Sequence, residues 1–239
     1  MIDFHSHILP AIDDGSGSVE ESLSMLEALK EQNVDTVVAS SHFYATRRSP
    51  DEFRKRRSQA YDRLRKALPD DAPKILLGAE VLYFPGISRM EELPELCIEG
   101  TDILLLEMPF TTWTEHMVRE VKDLAYSGRF TLLMAHIERY YSKQQVSVWE
   151  ELLDLGILMQ SNADFFLPFR TRRKAMKLLK EGRIHLLGTD CHNMTSHAPR
   201  MGEAAEVIRK HLGERILRDV DREIAYQEIN EEIRCSQPI

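Results

Sequence analysis

Read for hydrophobic and polar positions, the chain repeats one unit: a short apolar run, a polar loop, then a stretch of helical periodicity. Apolar runs fall at Met1–Phe4, Thr36–Ala39, Ile75–Gly78, Ile103–Leu106, Thr131–Ala135, Ile157–Gln160 and Ile184–Gly188. Several are nearly continuous, as expected of strands covered on both faces. Helical stretches lie between many of them. Ser18 and Glu21 have capping-box spacing ahead of Leu23, Leu26 and Leu29, and Ser49 and Glu52 repeat it with Pro50 at the first helical position. The stretches Glu115–Ser127, Val148–Leu155 and Arg172–Glu181 stop at Gly128, Gly156 and Gly182, residues suited to left-handed helix caps. Strand followed by helix this often implies parallel strands with right-handed crossovers. Seven strand candidates predict a closed or nearly closed βα barrel, with an open doubly wound sheet as the alternative. The segment Glu203–Ile239 reads as helical and is highly charged up to Arg234, suited to closing the barrel bottom or to assembly.

Composition narrows this picture. A length of 239 residues suits one barrel domain spanning 1–239, and 43% apolar residues can fill its core. No apolar run approaches the ~20 residues that cross a bilayer, so the protein is not expected to be membrane-embedded. The opening MIDFHSH has no basic region leading into an apolar stretch, which predicts a cytoplasmic protein. A net charge of −8 argues against nucleic acid as partner. Cys97, Cys191 and Cys235 are far apart and form no C-x-x-C, so neither a disulfide framework nor a thiolate zinc site is indicated.

The reactive residues fall at particular places in the repeat. His5 and His7 end the first run, His42 follows the second, Glu80 the third, Glu107 the fourth, and His136 the fifth. Asp190 and His192 follow the seventh. In a βα barrel these strand ends open onto one face. His5-x-His7 places two imidazoles on one side of a strand, and Asp190-x-His192 repeats the spacing. Imidazole with carboxylate suits zinc, manganese, iron or cobalt, and a carboxylate such as Glu80 can bridge two cations. A lone histidine is ordinarily a satisfied core or surface residue; the coincidence at strand ends carries the inference. His116 and His197 read as solvent-facing, while His185 starts a strand and His211 lies on a helix.

The opening I-D-F-H-S-H-I-L-P-A-I-D-D-G resembles the start of the PHP (polymerase and histidinol phosphatase) domain. It more closely resembles the bacterial protein-tyrosine phosphatases of capsule and exopolysaccharide gene clusters. S-S-H-F-Y, G-A-E-V, A-H-I-E-R-Y and G-T-D-C-H follow in the expected order. The resemblance implies a distorted (βα)7 TIM-like barrel holding three divalent metal ions, most often manganese, with iron, zinc, cobalt or magnesium as substitutes. It implies His5, His7, Glu80 and Asp190 around one metal, Glu80, Glu107 and His136 around a second, and Asp14, His42 and His192 around the third. Glutamate at 107 leans toward the phosphatase branch. Asp14 is chosen over Asp13 on the family pattern, with Asp13 left to cap the loop at Gly15. The resemblance also implies an arginine in each of two loops to bind phosphate, here Arg139 and Arg200, although the family position in the second loop falls nearer His197.

The implied activity is phosphoric monoester hydrolysis on phosphotyrosines in the tail of a bacterial tyrosine autokinase that controls polysaccharide export. Divalent cations can clamp phosphoryl oxygens and acidify water for in-line attack, with arginine forks taking the developing charge. A cysteine route needs an arginine six residues after the nucleophile; Cys97 has Ile103 there and Cys191 has His197. Arg47 and Arg48 could steer an anionic phosphopeptide, and Phe43, Tyr44, Phe110 and Trp113 could stack on a tyrosine ring. Alternatives are another PHP phosphoesterase, such as a histidinol-phosphate or nucleotide phosphatase, and a metal-stabilised binding module without catalysis.

Overall fold

The computed structural model describes residues 1–220. Among these residues, nine strands occupy seven staves of a curled parallel sheet. They are β1 (Ile2–Ser6), β2 (Thr36–Ala39) continued by β3 (His42–Phe43), and β4 (Lys74–Leu77) continued by β5 (Glu80–Leu82). The rest are β6 (Ile103–Glu107), β7 (Thr131–Met134), β8 (Leu158–Asn162) and β9 (Leu186–Gly188). β1 pairs with β2 and β2 with β4, while β3, β5, β6, β7, β8 and β9 follow one another, all parallel. The curl returns to its start where the Asp190 amide donates to the His5 carbonyl (2.7 Å) and the His7 amide to the Cys191 carbonyl (2.9 Å). This is the barrel expected from the seven apolar runs, with two staves interrupted.

The interruptions need substitute partners for the backbone. At the first, the Ser40 hydroxyl accepts from the Ser6 amide (3.0 Å), and the Ser6 hydroxyl donates to the Val38 carbonyl (2.8 Å). At the second, the buried Arg57 guanidinium donates to the Gly78 carbonyl (2.7 Å).

Helices α1 (Val19–Glu31) and α2 (Pro50–Arg65) begin at the caps read from sequence, with the Ser18 and Ser49 hydroxyls accepting from the Glu21 and Glu52 amides. α3 (Glu115–Tyr126), α4 (Val146–Asp154) and α5 (Phe169–Lys180) are followed by Gly128, Gly156 and Gly182, each at positive φ. α5 begins three residues before the expected Arg172, because extended Pro168 serves as its N-cap. α6 (Met201–Leu212) and α7 (Glu214–Val220) realise the helical pattern expected from Glu203; the remainder of that segment lies outside the described residues.

The core divides in two. A large cluster packs the helices on the outer sheet face, and a smaller one, including Phe4, Val38, Ile103, Leu105, Leu133, Leu158 and Leu186, fills the inside. On the inward face, β6 therefore reads Ile103, Leu105, Glu107 and β8 reads Leu158, Gln160, Asn162. Each is apolar at the floor and polar at the C-terminal mouth. β1 would break this rule under strict alternation, because Phe4 belongs to the inner cluster and so do the directions of His5 and His7. A register shift against β2 between Asp3 and Ser6 resets the alternation, the re-aiming that a bulge accomplishes beside a site.

Candidate metal centre

The mouth gathers side chains from nearly every stave. His5 Nε2 and His7 Nε2 lie 3.2 Å apart. Glu80 Oε2 is 3.3 Å from each, and Asp190 Oδ1 is 3.5 Å from His5 and 3.4 Å from His7. Donors bound about 2.1 Å from one cation lie about 3.0–3.4 Å from one another, so this spacing fits a shared ion. The other Glu80 oxygen, Oε1, is 2.8 Å from His136 Nε2, which is 3.5 Å from Glu107 Oε1. His42 joins Glu80 and Glu107 through its Nδ1, 2.9 Å from Glu80 Oε2. Asp14 Oδ1 lies 3.4 Å from His42 Nε2 and 3.8 Å from His192 Nε2, and His7 completes that group. All nine positions expected from sequence thus converge, with His7, His42 and Glu80 shared between neighbouring groups.

The chemistry of the donor set fits divalent cations. Glu80 is fully buried, yet its Oε2 makes no hydrogen bond although three imidazole nitrogens stand within 3.3 Å. A buried carboxylate oxygen left in that state is costly unless a cation satisfies it. Burial would raise the Glu80 carboxyl, but His5, His136 and His42 hold it well below the usual range. Against its own burial, His136 is drawn up to about 9 by Glu107 and Glu80. Burial also opposes charging of His7, which Asp13, Asp190 and Glu80 nevertheless raise. The cluster attracts positive charge, and metal and protons compete for the same lone pairs.

Second contacts aim the ligands. The His5 Nδ1 side meets Gln160 Oε1 at 3.2 Å, and the same oxygen accepts from the His136 amide at 2.6 Å. Asn162 donates to Asp190 Oδ2 (2.9 Å), and Gln160 donates to Asn162 Oδ1 (3.0 Å). Asp3 accepts from the Thr189 amide (2.8 Å), tying β1 to the end of β9. Such partners fix which ring nitrogen faces the metal. His136 (φ 31°) and Asp190 (φ 54°) adopt left-handed backbone, at a cost of about 1–2 kcal/mol each for a non-glycine residue.

Asp13 and Asp14 separate cleanly. Asp13 turns inward, 2.9 Å from His7 Nδ1, and accepts from the Gly15 (3.0 Å) and His42 (2.9 Å) amides. Burial raises its carboxyl, but His7 and these amides lower it to about 2. Its work is to orient His7 as well as to cap the loop. Asp14, 73% exposed at its side chain, faces His42 and His192.

Arg139 projects into the mouth and donates to Asp190 Oδ2, with its guanidinium 5.6 Å from the Phe110 ring centroid. Arg200 is engaged elsewhere, in a two-pronged pair with Glu203 (2.7 and 2.8 Å) and in contact with Asp164 (3.5 Å). The exposed His197 ring stands 5.8 Å from that of His192. Sequence reading missed Gln160 and Asn162. Their signal was present: two polar side chains at alternate positions where an otherwise apolar stave reaches the mouth. Cys191 is buried in the large outer cluster, its thiol pushed up by burial.

The family model for capsular polysaccharide synthesis proteins, CpsB/CapC, matches residues 1–230. Tyrosine-protein phosphatase CpsB of Streptococcus agalactiae serotype III is 28% identical over 227 residues, covering 89% of this chain and 91% of that protein. Tyrosine-protein phosphatase YwqE of Bacillus subtilis is 28% identical over 225 residues, covering 89% and 85%. A solved structure from the work on YwqE and Streptococcus pneumoniae CpsB, described as metal-dependent tyrosine phosphatases, shares the fold with a TM-score of 0.82. It is 24% identical, covering 96% of this chain and 95% of that one. This chain belongs to the CpsB/CapC family.

Proposed function

We propose that this chain is a metal-dependent phosphatase that hydrolyses phosphotyrosine in protein. Its substrate is the phosphorylated tail of a bacterial tyrosine autokinase in capsule or exopolysaccharide synthesis, met in the cytoplasm. The observation that carries the reading is the orphaned Oε2 of the fully buried Glu80 carboxylate, among His5, His7 and His42. Three divalent ions, manganese foremost, fit the donors. His5, His7, Glu80 and Asp190 would hold the first, Glu80, Glu107 and His136 the second, and Asp14, His42 and His192 the third, with His7 and His42 adjoining more than one group. When bound, such ions neutralise phosphoryl charge and make a nearby water more acidic.

The chain's own residues do the rest. Arg139 presents guanidinium N–H donors for phosphoryl oxygens whose charge grows in the transition state, exchanging part of its hold on Asp190. Arg200 would have to leave Glu203 and Asp164 to add a second fork, and His197 stands beside His192 as the other cationic group available there. Gln160, Asn162 and Asp13 keep the ligands aimed while the substrate exchanges. Among the described residues no helix is long and apolar enough to cross a membrane, consistent with a substrate tail reaching the enzyme in water.

The test pairs elemental analysis with turnover of a phosphotyrosine peptide by the wild type and by His136→Ala. Turnover that chelator abolishes and Mn²⁺ restores, with metal in the wild type and loss in the variant, is expected. Full activity after exhaustive metal removal overturns the mechanism. Turnover of histidinol phosphate faster by orders of magnitude overturns the substrate, and bound metal with no turnover of any phosphoester favours a binding module.

A further inference from the structure

The structure sorts the four aromatic side chains that the sequence offers for stacking on a tyrosine ring. Phe43 is buried edge-on against Phe53 (5.4 Å between ring centroids). Trp113 is buried against Tyr140 (5.2 Å) and Trp149 (5.3 Å). Tyr44 is half-buried, stacked on His42 (5.2 Å) with the Arg47 guanidinium 4.7 Å over its ring. Phe110, in the loop from β6 to α3, stays 45% exposed. Of the large hydrophobic side chains exposed among the described residues, it is the one whose ring meets a histidine of the centre, 5.6 Å from His136.

That exposure is built. The Trp113 indole donates to the Pro109 carbonyl (3.1 Å). The Gln144 side chain accepts from the Trp113 amide (2.9 Å) and donates to the Thr111 carbonyl (2.8 Å). The loop is thus pinned on both sides of residue 110 while its phenyl ring remains in water, forgoing burial that a core site would provide. Tyr140, itself stacked on Trp149, lies 6.2 Å behind the ring, and the Arg139 guanidinium lies 5.6 Å from its centroid. The arginine assigned to phosphate and the exposed aromatic surface share one wall of the mouth.

We propose that Phe110 determines specificity for aryl over alkyl phosphates, its exposed surface stacking on the ring of phosphotyrosine while Arg139 and the metal ligands' cations take the phosphoryl group. This rests on the phosphatase reading above and adds to it the group that selects tyrosine. A pre-positioned ring loses little freedom on binding, and an offset aromatic contact favours the aryl ligand by about tenfold.

Phenylphosphonate and methylphosphonate carry the same phosphoryl head and differ in the ring. Calorimetric titration of both into the Mn²⁺-loaded full chain reads the preference without turnover. The wild type is expected to bind phenylphosphonate about tenfold more tightly. Phe110→Ala should erase that ratio with methylphosphonate affinity within about twofold and unchanged metal content, whereas Phe110→Trp should keep the ratio. A preference that survives in Phe110→Ala overturns the proposal, as does a wild type without one. Parallel loss of both affinities with loss of metal also overturns it, since Phe110 would then be a support for His136. Phosphotyrosine turnover by the wild type, assayed separately, decides the underlying phosphatase reading.

Discussion

On the β1–β9 side of the centre, His5, His7 and Asp190 are buried, and each has a further partner: Gln160 on His5, Asp13 on His7, Asn162 and Arg139 on Asp190. Toward solvent from them Asp14, exposed at its side chain, faces His42 and His192, which are half-buried. Charge interactions are stronger where water is excluded, and oriented ligands lose less freedom on binding. Under the metal assignment proposed above, the inner half would supply affinity, and the outer half, more open to solvent, would serve exchange and admit substrate.

Glu80 spans both halves, so its loss should break the comparison outright. Glu80→Gln removes a charge shared among His5, His7, His42 and His136, and we expect activity to fall by at least about a thousandfold with more than one metal equivalent lost. Retention of full metal content by elemental analysis would refute a bridging role. Gln160→Leu acts only on the inner half, removing the acceptor on His5 and on the His136 amide. Metal-buffered titration should show affinity weakened by about 10–100-fold, and unchanged affinity would reduce Gln160 to a packing residue. Asp14→Ala should weaken binding of a single, outermost equivalent while thermal unfolding of the metal-free protein shifts by less than about 0.5 kcal/mol. Uniform weakening of every equivalent would erase the inner–outer distinction.

The smallest effect lies outside both halves. His185 is half-buried, accepts from the Met159 amide through Nδ1 (3.0 Å), and is lowered by burial below its ordinary value of 6.5. Above pH 6.5 it is neutral folded or unfolded; below, the unfolded chain takes the proton more readily, so stability falls as pH drops through the folded value. His185→Gln should flatten that limb of a stability–pH curve measured by denaturant unfolding. An unchanged limb would show that the centre alone governs acid lability.

Much of this was legible in the sequence because burial and geometry are written in residue type. Apolar runs marked all seven staves, and donors at their ends marked the mouth. The breaks after Ala39 and Leu77 were not legible, because they depend on Ser6, Ser40 and Arg57 reaching backbone groups from elsewhere in the fold. Adjacent Asp13 and Asp14 look alike in sequence and diverge only through the turn at Gly15. Arg200 follows from the family pattern of an arginine in the loop after His192, and its pairing with Glu203, one helical turn onward, is set by the start of α6. Gln160 and Asn162 carry no charge to mark them as candidate ligands, and their one sequence signal is the alternate spacing on β8.

The seam between β1 and β9 has a temporal meaning. His5 is synthesised well before Asp190, and the Asp3–Thr189 bond joins groups 186 positions apart. Closing so long a span is slow compared with local helix formation. A growing chain can lay down six staves without possessing the centre, so the candidate ligands on β1 must wait until β9 has left the ribosome. Capture of the proposed cations would then be a late event in the life of each molecule, marking a barrel that has closed.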